Sequence, residues 1–176
     1  MKMLKKLLAV VLTGAMALTL FTACGSNAVR DKDIADALNN IVKLNDSEVT
    51  FTPRAKEREM AQKVAALLES HSEDDSNSAE LSAKIQGILG IDQGGVNENN
   101  FVWVQNALTD KLGAEGQAFQ VMESLTDKGG AYNFSSLGSK EPADTRYMGT
   151  ALCKIPDQKD NLVTVRVIVV TAKAEG

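Results

Sequence analysis

From Asp31 onward the apolar residues return every three or four positions, with Ile34, Leu38, Ile41 and Val42 recurring through DKDIADALNNIVKLN. That spacing predicts an amphipathic helix. Thr52 is a residue type that caps helices and Pro53 suits a first helical position. A second helix is therefore expected through RAKEREMAQKVAALLES, with Met60, Val64, Leu67 and Leu68 along one face. After the polar loop HSEDDSNS, Ser78 can cap a third helix, AELSAKIQGIL, whose stripe is Leu81, Ile85, Ile88 and Leu89 and whose stop is Gly90. FVWVQN is a short candidate strand. Ala118, Val121, Met122 and Leu125 then mark a fourth helix that ends at Gly129-Gly130. The following AYNFSSLGSKEPADT reads as irregular, and its length suits either a functional rim or a disordered insert.

The C-terminal pattern has a different period. RYMGTALCKI and LVTVRVIVVTAKA, joined by the turn-like PDQKDN, read as an antiparallel hairpin. The second strand starts by alternating, with Val163, Val165 and Val167 on one face and Thr164 and Arg166 on the other, and is solidly apolar from Val167 to Val170. Apolar residues on both faces require cover on both faces. With four helices to supply it, the expected fold class is α/β, a three-layer α/β/α sandwich around a mainly antiparallel sheet.

The N-terminus follows neither pattern. Lys2, Lys5 and Lys6 precede an uncharged apolar run of 15 residues, Leu7 to Phe21, which has the form of an export signal. It is short for a permanent span, which needs about 20 apolar residues to cross about 30 Å of hydrocarbon. Phe21-Thr22-Ala23-Cys24 resembles the lipobox of bacterial lipoproteins. The resemblance implies that the Cys24 thiol receives a diacylglycerol with palmitate-type chains and that cleavage leaves Cys24 as the first mature residue. Two or more chains, at about 0.8 kcal/mol per buried methylene, hold a protein on a membrane where one would release it. Residues 1–23 are thus expected to be signal peptide, 24–32 the lipidated cysteine and tether, and 33–176 the domain. The expected location is the extracytoplasmic face of the cell membrane.

Charge and cysteine content narrow the partners. The chain has 19 basic and 23 acidic residues; the first 23 positions hold three lysines and no acids, which leaves 16 basic against 23 acidic in the remainder. That balance argues against nucleic acid and against adhesion to anionic lipid by charge alone. With Cys24 acylated, Cys153 has no disulfide partner in the chain. Its apolar neighbours in GTALCKI make it a buried small hydrophobe rather than a reactive thiol.

The order of these elements and several short motifs resemble the CAP superfamily of cysteine-rich secretory, antigen 5 and pathogenesis-related proteins, in its bacterial SCP-like branch. The likeness runs from about Ile34 to Lys173. ALNNIVKLNDSEVTFTPRAKEREMAQKVAALLE resembles the family's opening, a helix carrying an Asn, a short linker and a long Ala-rich helix. SHSEDDSNSAELSAKIQGILGI resembles its His-containing loop and next helix, and GGVNENN stands where the family has Gly-Glu-Asn, with Asn97 in place of the Gly. QVMES, RYMGTALCKI and TVRVIVV resemble the end of the later helix and the closing strands. The family's cleft commonly holds two histidines and two acids, which in some members bind a divalent metal. The resemblance maps His71 onto the first histidine, Glu98 onto the acid of the Glu-Asn motif and Glu123 onto the later acid. The second histidine is missing, because His71 is the only histidine in the chain.

Structural zinc sites normally have four ligands, so one imidazole with two carboxylates is a weak site and no metal or other cofactor is expected. Each candidate also has an ordinary role: His71 as a solvated or capping residue, Glu98 as the shaper of its turn, Trp103 as core. Asp74, Asp75 and Glu80 lack the alternating oxygens and central Gly of an EF-hand loop and read as solvated charge. Two functions remain. One is a noncatalytic, membrane-tethered CAP-like domain, monomeric, binding an envelope component, peptide or small apolar ligand through the cleft. The other is a hydrolase-like enzyme using His71 as base with Glu98, with or without a divalent metal. No Ser-His-Asp order, Cys-His pair, HExxH or phosphate loop supports the second.

Overall fold

The structure, a computed structural model, describes residues 29–70, 78–91, 99–126, 129–157 and 160–176. The elements in chain order are α1 (Asp31–Lys43), β1 (Thr50–Pro53), α2 (Ala55–Ser70), α3 (Ser78–Ile88), β2 (Asn100–Thr109), α4 (Ala114–Ser124), the single turn α5 (Phe134–Leu137), β3 (Glu141–Pro156) and β4 (Leu162–Glu175). The fold is mixed α/β. Among the described residues, four strands form one sheet in the order β1-β3-β4-β2.

The sheet is mixed rather than mainly antiparallel, which corrects the expectation. β3 and β4 form the antiparallel hairpin and β2 pairs antiparallel with β4, but β1 runs parallel to β3, Thr50 to Pro53 against Thr145 to Met148. Parallel neighbours need a long crossover. Here the chain travels through α2, α3, β2, α4 and α5 between β1 and β3. Thr52 and Pro53, read from sequence as the start of a helix, belong to β1 instead, and the helix begins at Ala55. Phe51 decides this: its ring is buried, and as part of a strand it reaches the core from the sheet edge.

Strand alternation sorts β4 into two apolar rows. Ile168, Val170 and Ala172 pack with Ile34, Leu38 and Val42 of α1, Ala118 and Val121 of α4, and the rings of Phe51, Phe101 and Trp103. Val165, Val167 and Val169 pack on the opposite face with Ala61, Val64 and Ala65 of α2 and with Ile85, Leu89 and Ile91 of α3 and the residues after it. The covered faces account for the apolar run in β4. On α2 the buried stripe is Glu57-Ala61-Val64-Ala65, while Met60, Leu67 and Leu68 are only partly buried around it.

A small stripe lets the helix approach closely. A Cβ placed on Gly149 of β3 would lie 1.9 Å from the backbone nitrogen of Arg58. Gly90 stops the third helix at a φ of 71°, in the left-handed region expected of it. The segment read as irregular contains α5 and the beginning of β3. The fourth helix ends at Ser124, short of the glycines.

Candidate functional site

Buried polar side chains gather at two places in the sheet, one on each face. On the face covered by α1 and α4, Arg166 is 5 % exposed and its guanidinium donates to three separate segments at once. Its Nε reaches Gln117 Oε1 of α4 at 2.7 Å, Nη1 reaches Thr150 Oγ1 of β3 at 2.8 Å, and Nη2 reaches the carbonyl of Val29 at 2.8 Å. The Thr150 hydroxyl passes the chain on, donating to Asp31 Oδ1 at 2.6 Å. The other Asp31 oxygen accepts from Arg58 Nε of α2 at 2.7 Å. Gln117 completes its own bonding by donating to the Leu112 carbonyl at 2.7 Å. Burial lowers the Arg166 pKa, and the carboxylates of Asp31 and Asp110 work against that shift.

This cluster closes around the start of the folded chain. Val29 and Asp31 are its N-terminal members, and α1 begins there with the Arg30 backbone N–H donating to Asp33 Oδ2 at 2.9 Å. Asp31 and Lys32, counted from sequence with the tether, form the first turn of α1. Arg58 crosses from the other face beside the Gly149 backbone, beyond the point where β1 stops covering the edge of β3.

On the opposite face Glu57 is fully buried at the start of α2. Arg54 Nε donates to its Oε2 at 2.6 Å, Arg54 Nη2 pairs with its Oε1, and the Thr171 hydroxyl donates to Oε1 at 2.7 Å. Burial pushes the Glu57 carboxyl up, but the bonds from Arg54 and Thr171 outweigh it and leave the pKa below its ordinary value. The Arg54 guanidinium also lies 3.8 Å from the Tyr147 ring centroid. Arg146, back on the first face, stands 5.2 Å over the Trp103 ring.

The residues singled out from sequence fall elsewhere. Cys24, His71 and Glu98 lie outside the described residues. Glu123 is described and is exposed on α4. Two side chains or backbone groups near the others are placed: Glu69, close to the end of α2, accepts from the Lys154 N–H at 2.8 Å, and the Asn99 carbonyl accepts from the Ala174 N–H at 2.9 Å. Lys154 pairs with Thr164 at one end of β4, whereas Ala174 lies at the other. Trp103 is core, with its ring stacked 5.9 Å from that of Phe101. Cys153 is buried and free, and burial, reinforced by Glu69, raises its pKa. Among the described residues no group of three or more His, Cys, Asp or Glu is placed to hold a metal ion.

Two signals could have pointed to the polar clusters. Arg166 is a charge embedded in an otherwise apolar strand. Glu57 stands at positions i, i+4, i+7 and i+8 with Ala61, Val64 and Ala65, on the buried stripe of its helix. The partners themselves are invisible locally, since Asp31 and Thr150 are 119 positions apart. No protein-family model, curated protein or solved structure matches the chain.

Proposed function

We propose that the chain is a membrane-anchored extracytoplasmic lipoprotein carrying a noncatalytic, CAP-like three-layer domain that binds an envelope component, a peptide or a small apolar ligand. The observation that carries the reading is the fixing of Val29 and Asp31, five and seven positions after Cys24, by Arg166, Thr150 and Arg58. A cysteine acylated there would hold a rigid domain close to lipid, because the chain between them is short and its folded end is stapled to the sheet. The CAP-like architecture is supported by helices packed on both faces of the sheet and by an Asn-bearing α1 followed by a short segment and the long Ala-rich α2. The noncatalytic reading is supported by the use made of the buried ionisable groups. Asp31, Glu57 and Arg166 direct their hydrogen bonds to other parts of the fold.

Cys24→Ser is the direct test. The variant is expected in the soluble fraction with its domain folded, while mass spectrometry of the parent protein extracted from membranes finds acyl groups on an N-terminal Cys24. An unmodified Cys24 thiol in that material, or a mature terminus elsewhere, overturns the anchor.

A further inference from the structure

The β3–β4 hairpin projects past the helices that cover its first face. α1 starts at Asp31 beside Thr150 and runs toward Phe51, where Asn39 bonds the strand, so it covers β3 from Thr150 back toward Arg146. α4 likewise starts near Arg166, through Gln117, and ends with Ser124 bonded to Gln105, the neighbour of Ile168. Beyond Arg166 the same face continues through Leu152, its direct partner, then the pair Lys154 and Thr164, whose longer member can keep its ammonium at the lipid headgroups while its stem lies along the apolar side chains, and on to the pair Pro156 and Leu162. Leu152 is 48 % exposed, Leu162 is 71 % exposed, and Pro156 is exposed as well. Next to this pair, the Asp157 N–H donates to the Asn161 carbonyl at 2.8 Å and the Asp157 carboxylate accepts from the Asn161 N–H at 2.9 Å.

Resting on the reading of Cys24 as the acylated residue, we infer that this end of the hairpin is a second, apolar contact with the lipid surface, which sets the orientation of the domain. The reach of the tether selects the occupant. Val29 lies five positions after Cys24, and a fully extended chain of five such steps spans about 17 Å. Val29 is bonded to Arg166. Along β4, Leu162 lies about 13 Å from Arg166 in one direction, whereas Ala174 lies about 26 Å away in the other, at about 3.3 Å per residue. The tether cannot carry an acyl group past the far end of the sheet, but it reaches as far as the hairpin tip. Exposed leucines held at that height gain from burial among lipid chains, and the gain needs no net positive charge.

The test uses the mature lipoprotein in phosphatidylcholine vesicles, with an environment-sensitive fluorophore on Leu162→Cys or, separately, on Leu152→Cys. Leu44→Cys, at an 81 % exposed site after α1, serves as the distal control. Cys153 is buried and poorly nucleophilic, so it does not compete for label. Brominated phosphatidylcholine is expected to quench the label at 162 and 152 and to leave that at 44 unchanged, while mass spectrometry of the same sample shows acylated Cys24. Acylated protein with no quenching at 162 and 152 overturns the hairpin contact alone and leaves the tip in water for a protein partner. Quenching at all three sites overturns the orientation. Absence of the acyl group overturns the anchor and the hairpin contact together.

Discussion

Asn39 completes both backbone hydrogen bonds of Phe51: its Nδ2 donates to the Phe51 carbonyl at 3.0 Å, and the Phe51 N–H donates to its Oδ1 at 2.7 Å. The amide stands where another strand would stand at the outer edge of β1. Asn133 does the same for the other edge of the sheet, donating to the Asn100 carbonyl at 2.6 Å and accepting from the Val102 N–H at 3.1 Å. Glu69 covers the Lys154 N–H where β1 no longer shields β3. An uncovered edge is a template for pairing with another chain, so these side chains both satisfy the backbone and oppose aggregation.

Asn39→Ala and Asn133→Ala are each expected to destabilise the domain by about 1–3 kcal/mol, the cost of leaving partly buried backbone groups unsatisfied. Asn133, at 1 % exposure, should be the more costly of the two. Amide exchange will speed up at Phe51 in the first variant and at Val102 in the second. Chemical denaturation together with residue-resolved hydrogen exchange checks both, and unchanged protection at these two amides would contradict the assignment.

Gly149→Ala tests the close approach of α2 to β3. The added methyl would meet the Arg58 backbone nitrogen at 1.9 Å, and backbone cannot swing aside as a side chain can. The expected loss is about 3 kcal/mol or more, toward the severe end for overpacking. Gly87→Ala, where an added Cβ meets nothing within 4 Å, serves as the mild control in the same denaturation experiment.

Arg166→Ala removes three hydrogen bonds and leaves Asp31 with a smaller share of positive charge nearby. Breaking a buried charged cluster in this way costs about 3–5 kcal/mol. The loss should have a local signature too. With the Val29 carbonyl released, limited proteolysis is expected to cut ahead of α1 in the variant at protease levels that leave the parent intact. Equal cleavage would show that Arg166 does not fix the start of the domain.

Glu57 predicts an acid limb of stability. Its folded pKa lies below the ordinary value of 4.5, so its contribution is complete above that value and is lost as pH falls through the folded pKa. Glu57→Gln should be clearly less stable than the parent at neutral pH, and the gap should narrow as the pH drops below about 4.5. Denaturant midpoints of both proteins across that range provide the measurement. A gap independent of pH would mean that the charge on Glu57 does not contribute.

Much of this fold is legible locally. Ile34, Leu38 and Val42 mark α1 because their spacing matches the turn of a helix, and the valines of β4 announce a strand covered on both sides because alternation fails from Val167 to Val170. Gly90 ends a helix by its own conformational freedom. The hairpin follows from two apolar runs and a polar turn. Each of these depends on residues within a few positions of one another.

What the tertiary structure alone decided concerns partners distant in sequence. TFTP carries the local marks of a helix start, and it becomes β1 because Phe51 has a core to enter, β3 offers a parallel edge and Asn39 closes the other. Arg166 falls with Thr164 on the polar face of an alternating stretch, yet it is buried, because Gln117, Thr150 and Val29 converge on its guanidinium from three separate segments. Glu57 is tolerated inside for the same reason. Periodicity records which way a side chain points along its own element; whether a charge pointing inward is stable depends on groups that only folding brings within 3 Å of it.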